Sequence, residues 1–227
     1  MRLLTLDVGN TTVDACLFEG EEPVYLGRFS PSRLQELAGG YDLVAVSSVR
    51  ESLNKKLSGL FGGKLRFLTL SDIPLKVEYR TPQTLGVDRV LFAFGVREFY
   101  TQSAVLVMAG TALVVDLLLE GVFRGGFVTA GVSLKLRALA ERAEGIPLYQ
   151  PAPFRETLGR STEECVVGGT YRESTAFIRE AVRLWSAEAG EKLPVFITGG
   201  DGALFEELGT YDPLILHRAM HKIIING

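Results

Sequence analysis

The sequence predicts a mixed α/β protein made of two related lobes, each built around a mixed sheet. Two observations support this fold class. Short apolar strands alternate with helical stretches along the whole chain, and the elements of each predicted lobe begin with three consecutive strands. In addition, an apolar strand that runs into a tight glycine turn and then into another strand occurs twice, at residues 3–12 and 105–116. We therefore expect a duplicated unit, with a ligand cleft between the two lobes.

The individual elements follow from apolar runs and from the turn residues that separate them. In the first lobe, residues 1–101, we expect strands at 3–8, 12–19, 23–29, 42–48 and 65–70, and helices at 30–38, 51–61 and 86–100. The same order returns in the second lobe, residues 102–227, with strands at 104–108, 112–119, 122–127 and 194–198, and helices at 131–142, 161–188 and 213–225. Helix 86–100 is expected to link the two halves.

Composition limits the classes of protein that remain. With 227 residues, 47% hydrophobic and 22% charged, the chain can bury one large core or two modest ones. A net charge of -3 and a pI near 5.6 argue against nucleic-acid binding. The longest uncharged run, 99–115, is shorter than the ~20 residues of a membrane helix. Because Asp7 interrupts any apolar leader, we expect neither export nor membrane association, and we expect a cytoplasmic location.

The cysteines and histidines show no metal-binding pattern. Cys16 and Cys165 lie far apart in the sequence, so we expect two buried, reduced thiols. His217 and His221 are spaced i, i+4, which suits a metal, but no acidic partner lies nearby in the sequence. We therefore expect this pair on a helix surface.

The first glycine turn is a candidate phosphate-binding site. Glycine lets backbone N–H groups approach phosphate oxygens, and Asn10 and Thr11 add donors beside Gly9. Asp7, at the end of the preceding strand, is a candidate Mg²⁺ ligand. An ordinary hairpin turn that binds nothing is an equally good interpretation of the residues alone. The second turn, Gly110-Thr111-Ala112, repeats the pattern but has Met108 where the first has Asp7.

Residues 79–89, YRTPQTLGVDR, place a carboxylate beside a guanidinium after a loop that contains proline and glycine. Asp88 and Arg89 are consistent with a helix cap and a solvated helix charge. They are also consistent with a base that accepts a hydroxyl proton and a group that binds a substrate carboxylate, although the residues alone slightly favour the cap and the solvated charge. The pairs Gly125-Gly126 and Gly199-Gly200 suit turns, or the close approach of a ligand to the backbone.

The order of these motifs resembles the type III pantothenate kinase family. The resemblance covers essentially the whole chain, and the YxxPxxLGxDR string at 79–89 is its most specific part. The other matching segments are DVGNTT at 7–12, GTALVVD at 110–116, GG at 125–126, GRSTEECVVGG at 159–169 and ITGGDG at 197–202. The resemblance implies two duplicated ribonuclease-H-like lobes, as in actin-like ATPases.

The resemblance also implies an activity and its residues. The implied reaction is ATP-dependent phosphorylation of pantothenate, the first step of coenzyme A biosynthesis, by a homodimer that uses Mg²⁺ and a monovalent cation, K⁺ or NH₄⁺. Asp88 is implied as the catalytic base. The ATP-binding residues implied are Asp7, which also binds the metal, and Gly9, Asn10, Thr11, Gly110, Thr111, Ala112, Gly199 and Gly200. The implied pantothenate residues are Tyr79, Gly86, Asp88, Arg89 and, from the neighbouring subunit, Thr162.

The chain departs from the family pattern in the second lobe. Met108 replaces an aspartate, Val114 replaces the usual threonine, and Ala130-Gly131 stands where Pro-Gly is usual. Loss of a charged group at a site of phosphoryl transfer typically costs ~10²–10³ in rate. We therefore expect a kinase of weakened activity. One alternative is a catalytically impaired paralogue that acts as a ligand-binding or regulatory protein. The other is a kinase for a different acceptor that carries an anionic group.

Overall fold

The computed structural model describes residues 1–227, and the chain divides into two compact units. The first comprises Met1–Thr101 together with Leu214–Gly227, and the second comprises Gln102–Pro213. The expectation that the last helix belongs to the second lobe, 102–227, is wrong. That helix, α5 (Ile215–Asn226), packs in the first unit on α2 (Val87–Phe99). The contact is so close that a Cβ on Gly95 of α2 would lie 2.8 Å from the Ile215 side chain.

The first unit contains a five-stranded mixed sheet in the order β3-β2-β1-β4-β5. β1 pairs with β2 and β2 with β3 in antiparallel fashion, whereas β1–β4 and β4–β5 are parallel. The strands are β1 (Arg2–Val8), β2 (Val13–Glu19), β3 (Pro23–Phe29), β4 (Leu43–Ser48) and β5 (Leu65–Phe67), followed by the two-residue β6 (Lys76–Val77). The first helix is α1 (Glu51–Phe61), and short 3₁₀ helices lie at Pro31–Leu37, Gly62–Lys64, Leu70–Asp72 and Pro82–Thr84.

The central strand β1 is buried on both faces, as expected when helices cover a mixed sheet. Leu4 and Leu6 belong to a cluster that includes Leu57 of α1. On the opposite face of the sheet, Leu3 packs with Phe18, and Ile224 of α5 lies against the same cluster. Two apolar layers therefore fix the position of the end of β1, where Asp7 lies.

The second unit repeats the arrangement with a mixed sheet. Its strands run in the order β11-β10-β7-β8-β9, with β7–β8 and β8–β9 antiparallel and β7–β10 and β10–β11 parallel. The strands are β7 (Ala104–Ala109), β8 (Ala112–Leu119), β9 (Val122–Ala130), β10 (Val195–Thr198) and β11 (Thr210–Tyr211). The helices are α3 (Val132–Arg142) and α4 (Thr162–Ala189), with a 3₁₀ helix at Gly202–Leu208.

The long helix α4 completes the core of the second unit. Ser161 caps its start by accepting a hydrogen bond from the Glu164 amide at 3.2 Å, and Gly190 ends it in the left-handed region, with a φ of 73°. Its residues Tyr171 and Ile178 pack in one cluster with the inward side chains of β7 and β8. No helix of the structure is both long and apolar enough to span a membrane.

Several local expectations need correction. Residues 31–37 form a 3₁₀ helix, because Pro31 opens a short segment that buries only two of its side chains, Leu34 and Leu37. The strand expected at 65–70 ends at Phe67, where a capping box between Thr69 and Asp72 turns the chain. Cys16 is buried, but Cys165 is exposed near the start of α4, so the expectation of two buried thiols is wrong for Cys165.

The expected surface position of the histidine pair is also wrong for His217, which is 2% exposed. Its Nδ1 lies 2.8 Å from Thr5 Oγ1, and the Thr5 hydroxyl donates to the Cys16 carbonyl at 3.2 Å. Because that hydroxyl proton is already used, His217 Nδ1–H is the donor in the first contact. Burial lowers the pKa of His217 to about 4, against the opposing effect of Asp14.

We expect this histidine to make the stability of the protein depend on pH. The unfolded chain takes up the proton near its ordinary value of 6.5 and the folded chain only near 4, so the contribution of His217 to stability is complete above pH 6.5 and is lost as the pH drops toward 4. The full loss is about 3 kcal/mol, at about 1.4 kcal/mol per unit of pKa shift. The difference in the free energy of unfolding between the original chain and His217→Gln, compared at pH 7 and pH 4 in urea, measures it.

His217→Gln is expected to remove most of this dependence, since glutamine stays neutral at both pH values. His221, which is only partly buried and stacks on Phe18 with ring centroids 4.4 Å apart, provides the matched control as His221→Gln. If the two variants change the pH dependence equally, burial of His217 is not its source.

Candidate functional site

Asp7 lies at the end of β1, between residues of the two neighbouring strands. In the β1–β2 register it faces Asp14, and in the β1–β4 register it faces Ser47. Asp14 accepts hydrogen bonds from the Tyr25 hydroxyl at 2.6 Å and from Arg28 Nε at 3.1 Å. The partly buried Asp7 carboxyl group is therefore surrounded by β-sheet residues rather than by water.

The surroundings of Asp7 oppose its negative charge. Burial, together with the charges of Asp88 and Asp14, raises the pKa of Asp7 to about 8. Arg28 and the nearby Ser47 hydroxyl act in the opposite direction but do not compensate. Ser47 is fully buried and forms no hydrogen bond of standard geometry. A cation near Asp7 would relieve this repulsion and favour the ionised carboxylate.

The first glycine turn is closed by its own backbone. The Gly9 amide donates to the Thr12 carbonyl at 3.0 Å, and Arg50 Nη1 donates to the Asn10 carbonyl at 2.9 Å. Asn10 and Thr11 are exposed at the tip of the turn. The Gly9 amide is thus occupied within the hairpin, so the tip residues are better placed than Gly9 itself to donate to a phosphate.

Asp88 lies in the first turn of α2, in the same unit as Asp7. Its Oδ1 accepts a hydrogen bond from the Arg89 amide at 2.9 Å, which fixes the carboxylate at the start of the helix. The charge of Asp88 is close enough to Asp7 to raise the pKa of its carboxyl group. The Arg89 guanidinium lies 5.7 Å from the centroid of the Tyr79 ring, a cation–π distance.

Gly86 leaves room for the Asp88 carboxylate. A Cβ at this position would overlap Asp88 Oδ1, and it would lie 3.7 Å from Val49 Cγ1. The backbone of Gly86, with φ of -61° and ψ of 131°, is open to any residue, so the requirement for glycine is one of space and not of conformation. The absence of a side chain at Gly86 therefore allows the Asp88 carboxylate to lie where it does.

We expect Gly86→Ala to lower kcat by roughly 10²-fold, because displacement of a reacting group by ~1 Å costs about that much. The melting temperature should change little, since the backbone conformation suits alanine and the carboxylate can rotate away. Steady-state kinetics and thermal unfolding of the same preparation test both parts.

The control for this variant is Gly59→Ala, in α1, where a Cβ would meet no atom within 4 Å. Alanine there should stabilise the helix by about 0.5–1 kcal/mol without changing kcat. Equal kcat in the Gly86 and Gly59 variants would show that the exact position of Asp88 does not matter.

The second glycine turn lies against the start of α3. The Gly110 amide donates to the Ala112 carbonyl at 2.9 Å, and the Gly131 amide donates to the Thr111 carbonyl at 2.9 Å. A Cβ on Gly131 would overlap the Gly110 carbonyl oxygen, so the helix start approaches this turn as closely as backbone allows. Thr111 is exposed at the tip, like Thr11 in the first turn.

Gly199 and Gly200 follow β10 and turn across the end of β7. Gly199 has a φ of 94°, and a Cβ there would overlap the Ala109 carbonyl oxygen. The chain then continues to Asp201, whose amide donates to that same carbonyl at 2.9 Å. The second glycine turn and the Gly199-Gly200 turn therefore meet at one end of the second sheet.

The expected residues divide between the two units. The first unit holds Asp7, Gly9, Asn10, Thr11, Tyr79, Gly86, Asp88 and Arg89. The second holds Gly110, Thr111, Ala112, Gly199 and Gly200, and also Thr162, which is exposed as the first residue of α4. Sequence reasoning missed Asp14 and Ser47 beside Asp7, and Ser133 and Asp201 beside the second turn. Asp14 gave a signal, because it and Asp7 bracket a tight hairpin, and Asp201 lies in the ITGGDG segment.

The acidic residues suit Mg²⁺ bound together with a nucleotide, and not a closed protein site. No group of three or more His, Cys, Asp or Glu side chains is arranged to hold a metal. Mg²⁺ usually binds one or two carboxylates plus substrate phosphates and water, and the Asp7 carboxyl group, whose ionised form its surroundings disfavour, matches that requirement. For a monovalent cation the fit is poor at Met108, since a thioether is a weak ligand for such an ion.

Comparisons with known proteins show the family of this chain. The model of the type III pantothenate kinase family matches residues 3–184. A type III pantothenate kinase of Aquifex aeolicus is 44% identical over 225 residues, which cover 99% of this chain and 97% of that protein.

Two solved structures share the fold. The crystal structure of a putative Baf family transcriptional activator from Campylobacter jejuni aligns with a TM-score of 0.73 at 20% identity, over 98% of each chain. An archaeal actin homologue aligns with a TM-score of 0.53 at 11% identity, over 100% of each chain. The fold is thus the mixed α/β, two-lobed architecture of actin-like proteins, and the chain belongs to the type III pantothenate kinase family.

Proposed function

We propose that this protein transfers the γ-phosphoryl group of ATP to the primary hydroxyl of pantothenate, forming 4'-phosphopantothenate in the first step of coenzyme A biosynthesis. The observation that carries the proposal is the pair Asp7 and Asp88, two carboxylates close enough for one to raise the pKa of the other. One suits a metal beside the phosphates and the other suits a base beside the acceptor. Phosphoryl transfer needs these groups positioned more than it needs covalent chemistry.

The acceptor side of the reaction belongs to the start of α2. Asp88, anchored through the Arg89 amide, accepts the proton of the pantothenate hydroxyl as the new P–O bond forms. Arg89 binds the pantothenate carboxylate through its guanidinium, which the Tyr79 ring holds in place. Thr162 of a second copy of the chain completes the pocket in the proposed homodimer.

The nucleotide side uses both glycine turns. Asn10 and Thr11 donate to phosphate oxygens in the first turn, and Thr111 does so in the second, with Gly9, Gly110 and Ala112 keeping the backbone close. Gly199 and Gly200 lie beside the nucleoside. Asp7 would hold Mg²⁺, and the ion would supply positive charge beside the phosphate oxygens.

We propose that Met108 weakens this activity without abolishing it, because Asp7, Asp88 and Arg89 keep the acceptor side intact. The alternative is an impaired paralogue that binds ATP or pantothenate for regulation. The acidic chain, with a net charge of -3, makes direct binding to DNA a poor candidate for that role. For either role we propose a cytoplasmic location.

A coupled assay of ADP release with ATP, Mg²⁺, K⁺ and pantothenate tests the proposal. Pantothenate-dependent ADP release well above that of an Asp88→Asn preparation is the expected result. If the two preparations release ADP equally, the kinase proposal fails. Calorimetry then separates the remaining classes, since binding of ATP and pantothenate without turnover favours a regulatory protein.

A further inference from the structure

The two glycine turns of this chain differ by one charge. In the first, Asp7 stands two residues before Gly9, and in the second, Met108 stands two residues before Gly110. Met108 is partly buried and pairs with Val114 across the β7–β8 hairpin. The second turn therefore repeats the backbone of the first but lacks a carboxylate on its own strand.

A carboxylate reaches the end of this strand from the neighbouring one. β10 runs parallel to β7, with Thr198 opposite Met108 in the register. After the Gly199-Gly200 turn, the Asp201 amide donates to the carbonyl of Ala109, the residue that follows Met108, at 2.9 Å. The backbone of Asp201 is thus tied to the position where the second turn begins.

The Asp201 side chain is held on the same side as the start of α3. Its Oδ2 accepts a hydrogen bond from Ser133 Oγ at 3.0 Å. Ser133 lies two residues after Gly131, whose amide donates to the Thr111 carbonyl in the second turn. Because a serine hydroxyl is neutral, this contact orients the carboxylate without compensating its negative charge.

We propose that Asp201 supplies, from the turn after β10, the negative charge that Met108 does not supply from β7, and that it binds the cation accompanying the phosphates of the nucleotide. This inference rests on the proposed kinase function. Ser133 acts as a positioning residue, because it holds one oxygen of the carboxylate and leaves the other for the cation.

Calorimetry of ATP binding to the full-length chain, without pantothenate, tests the proposal in Mg²⁺, in K⁺ and in EDTA. Asp201→Asn keeps an acceptor for Ser133 but removes the charge. It should weaken the cation-dependent part of ATP affinity by about 10-fold or more, and Ser133→Ala should weaken it less. Affinity in EDTA should not fall. Glu206→Gln, an exposed residue in the following 3₁₀ helix, removes the same charge and should change nothing.

A double variant makes the test independent of any loss of folding. In a Met108→Asp background, β7 carries a carboxylate of its own. Asp201→Asn should then weaken the cation-dependent part of ATP affinity much less than it does in the unmodified chain. Loss of the Mg²⁺ effect alone, or of the K⁺ effect alone, supports the proposal and identifies the cation. An Asp201→Asn variant whose cation dependence equals that of the unmodified chain overturns it. If the unmodified chain still phosphorylates pantothenate in that case, only this inference fails and the kinase function stands.

Discussion

Replacement of Asp88 by asparagine is expected to lower kcat by about 10²–10⁴-fold, the range typical for loss of a general base. Asparagine still offers an oxygen to the Arg89 amide, which donates to Asp88 Oδ1 at 2.9 Å, so the side chain should remain in place. What it cannot do is accept the proton of the acceptor hydroxyl. Pantothenate-dependent ADP release measures the loss, and ATP affinity by calorimetry should stay within about twofold of the original, a change worth only ~0.4 kcal/mol.

Glu51→Gln is the matched control for this variant, because Glu51 also lies in the first turn of a helix, α1, and is exposed. It should leave kcat unchanged, although it removes one negative charge from the first turn of a helix, as Asp88→Asn does. An Asp88→Asn enzyme that keeps more than a tenth of the original kcat would rule out Asp88 as the base.

The second large effect is expected from Asp7→Asn, which should lower kcat by roughly 10²–10³-fold while it stabilises the protein. Burial and the charges of Asp88 and Asp14 hold the pKa of Asp7 at about 8, against 3.8 for an unperturbed aspartate. Between these values the unfolded chain has lost the proton and the folded chain keeps it, so the carboxyl group costs stability as the pH rises toward 8. Asparagine carries no such cost.

We therefore expect the free energy of unfolding of Asp7→Asn to exceed that of the original chain at pH 8 by at least about 1.4 kcal/mol, the value of one unit of pKa shift. The difference should shrink as the pH falls toward 4. Urea unfolding across this range measures it, and added Mg²⁺ and ATP should favour the original chain instead, since it alone gains stability from the bound metal.

Asp14→Asn, opposite Asp7 in the sheet, is the informative contrast. It weakens the contacts with the Tyr25 hydroxyl and Arg28, so it should destabilise the protein. If both aspartate variants shift the free energy of unfolding in the same direction, the stability cost attributed to the Asp7 carboxyl group is not specific to its position.

The regular elements of this fold could be predicted well from local patterns. Helix 51–61 was predicted with the bounds that the structure has, and Gly62, with a φ of 57°, explains why it stops there. Strand 112–119 was also predicted with its observed bounds. Such elements depend on neighbouring residues alone, which is the information that a single sequence carries.

Placement of elements was harder to predict than their existence. The apolar face of the last helix indicates burial but does not say against which sheet, so α5 was assigned to the wrong unit. His217 shows the same limit. The i, i+4 spacing of the histidines fits a surface helix, whereas the contact of His217 with Thr5 depends on where α5 packs.

Local patterns identified some residues of the candidate site, and tertiary packing was needed to find the others. Asp7 and Gly9 were recognised from the turn that they form, and Asp88 and Arg89 from the YxxPxxLGxDR motif. That Asp88 lies close enough to raise the pKa of Asp7 required the structure, because no local pattern connects residues so distant in sequence. The place of Asp201 beside the second turn also required the structure, since the packing of β10 beside β7 brings it there. Ser133 reaches the same turn at the start of α3, where the Gly131 amide donates to the Thr111 carbonyl.

The return of α5 to the first unit has a consequence for synthesis on the ribosome. The chain leaves the first unit after Thr101 and re-enters it at Leu214, so the second unit is inserted into the first. The helix that covers Leu3 and Phe18 is translated only after the whole second unit. Although N-terminal domains generally fold first during translation, here the inserted unit can close while its host still exposes apolar strands. A nascent chain arrested before residue 214 should therefore recruit chaperones through its first hundred residues.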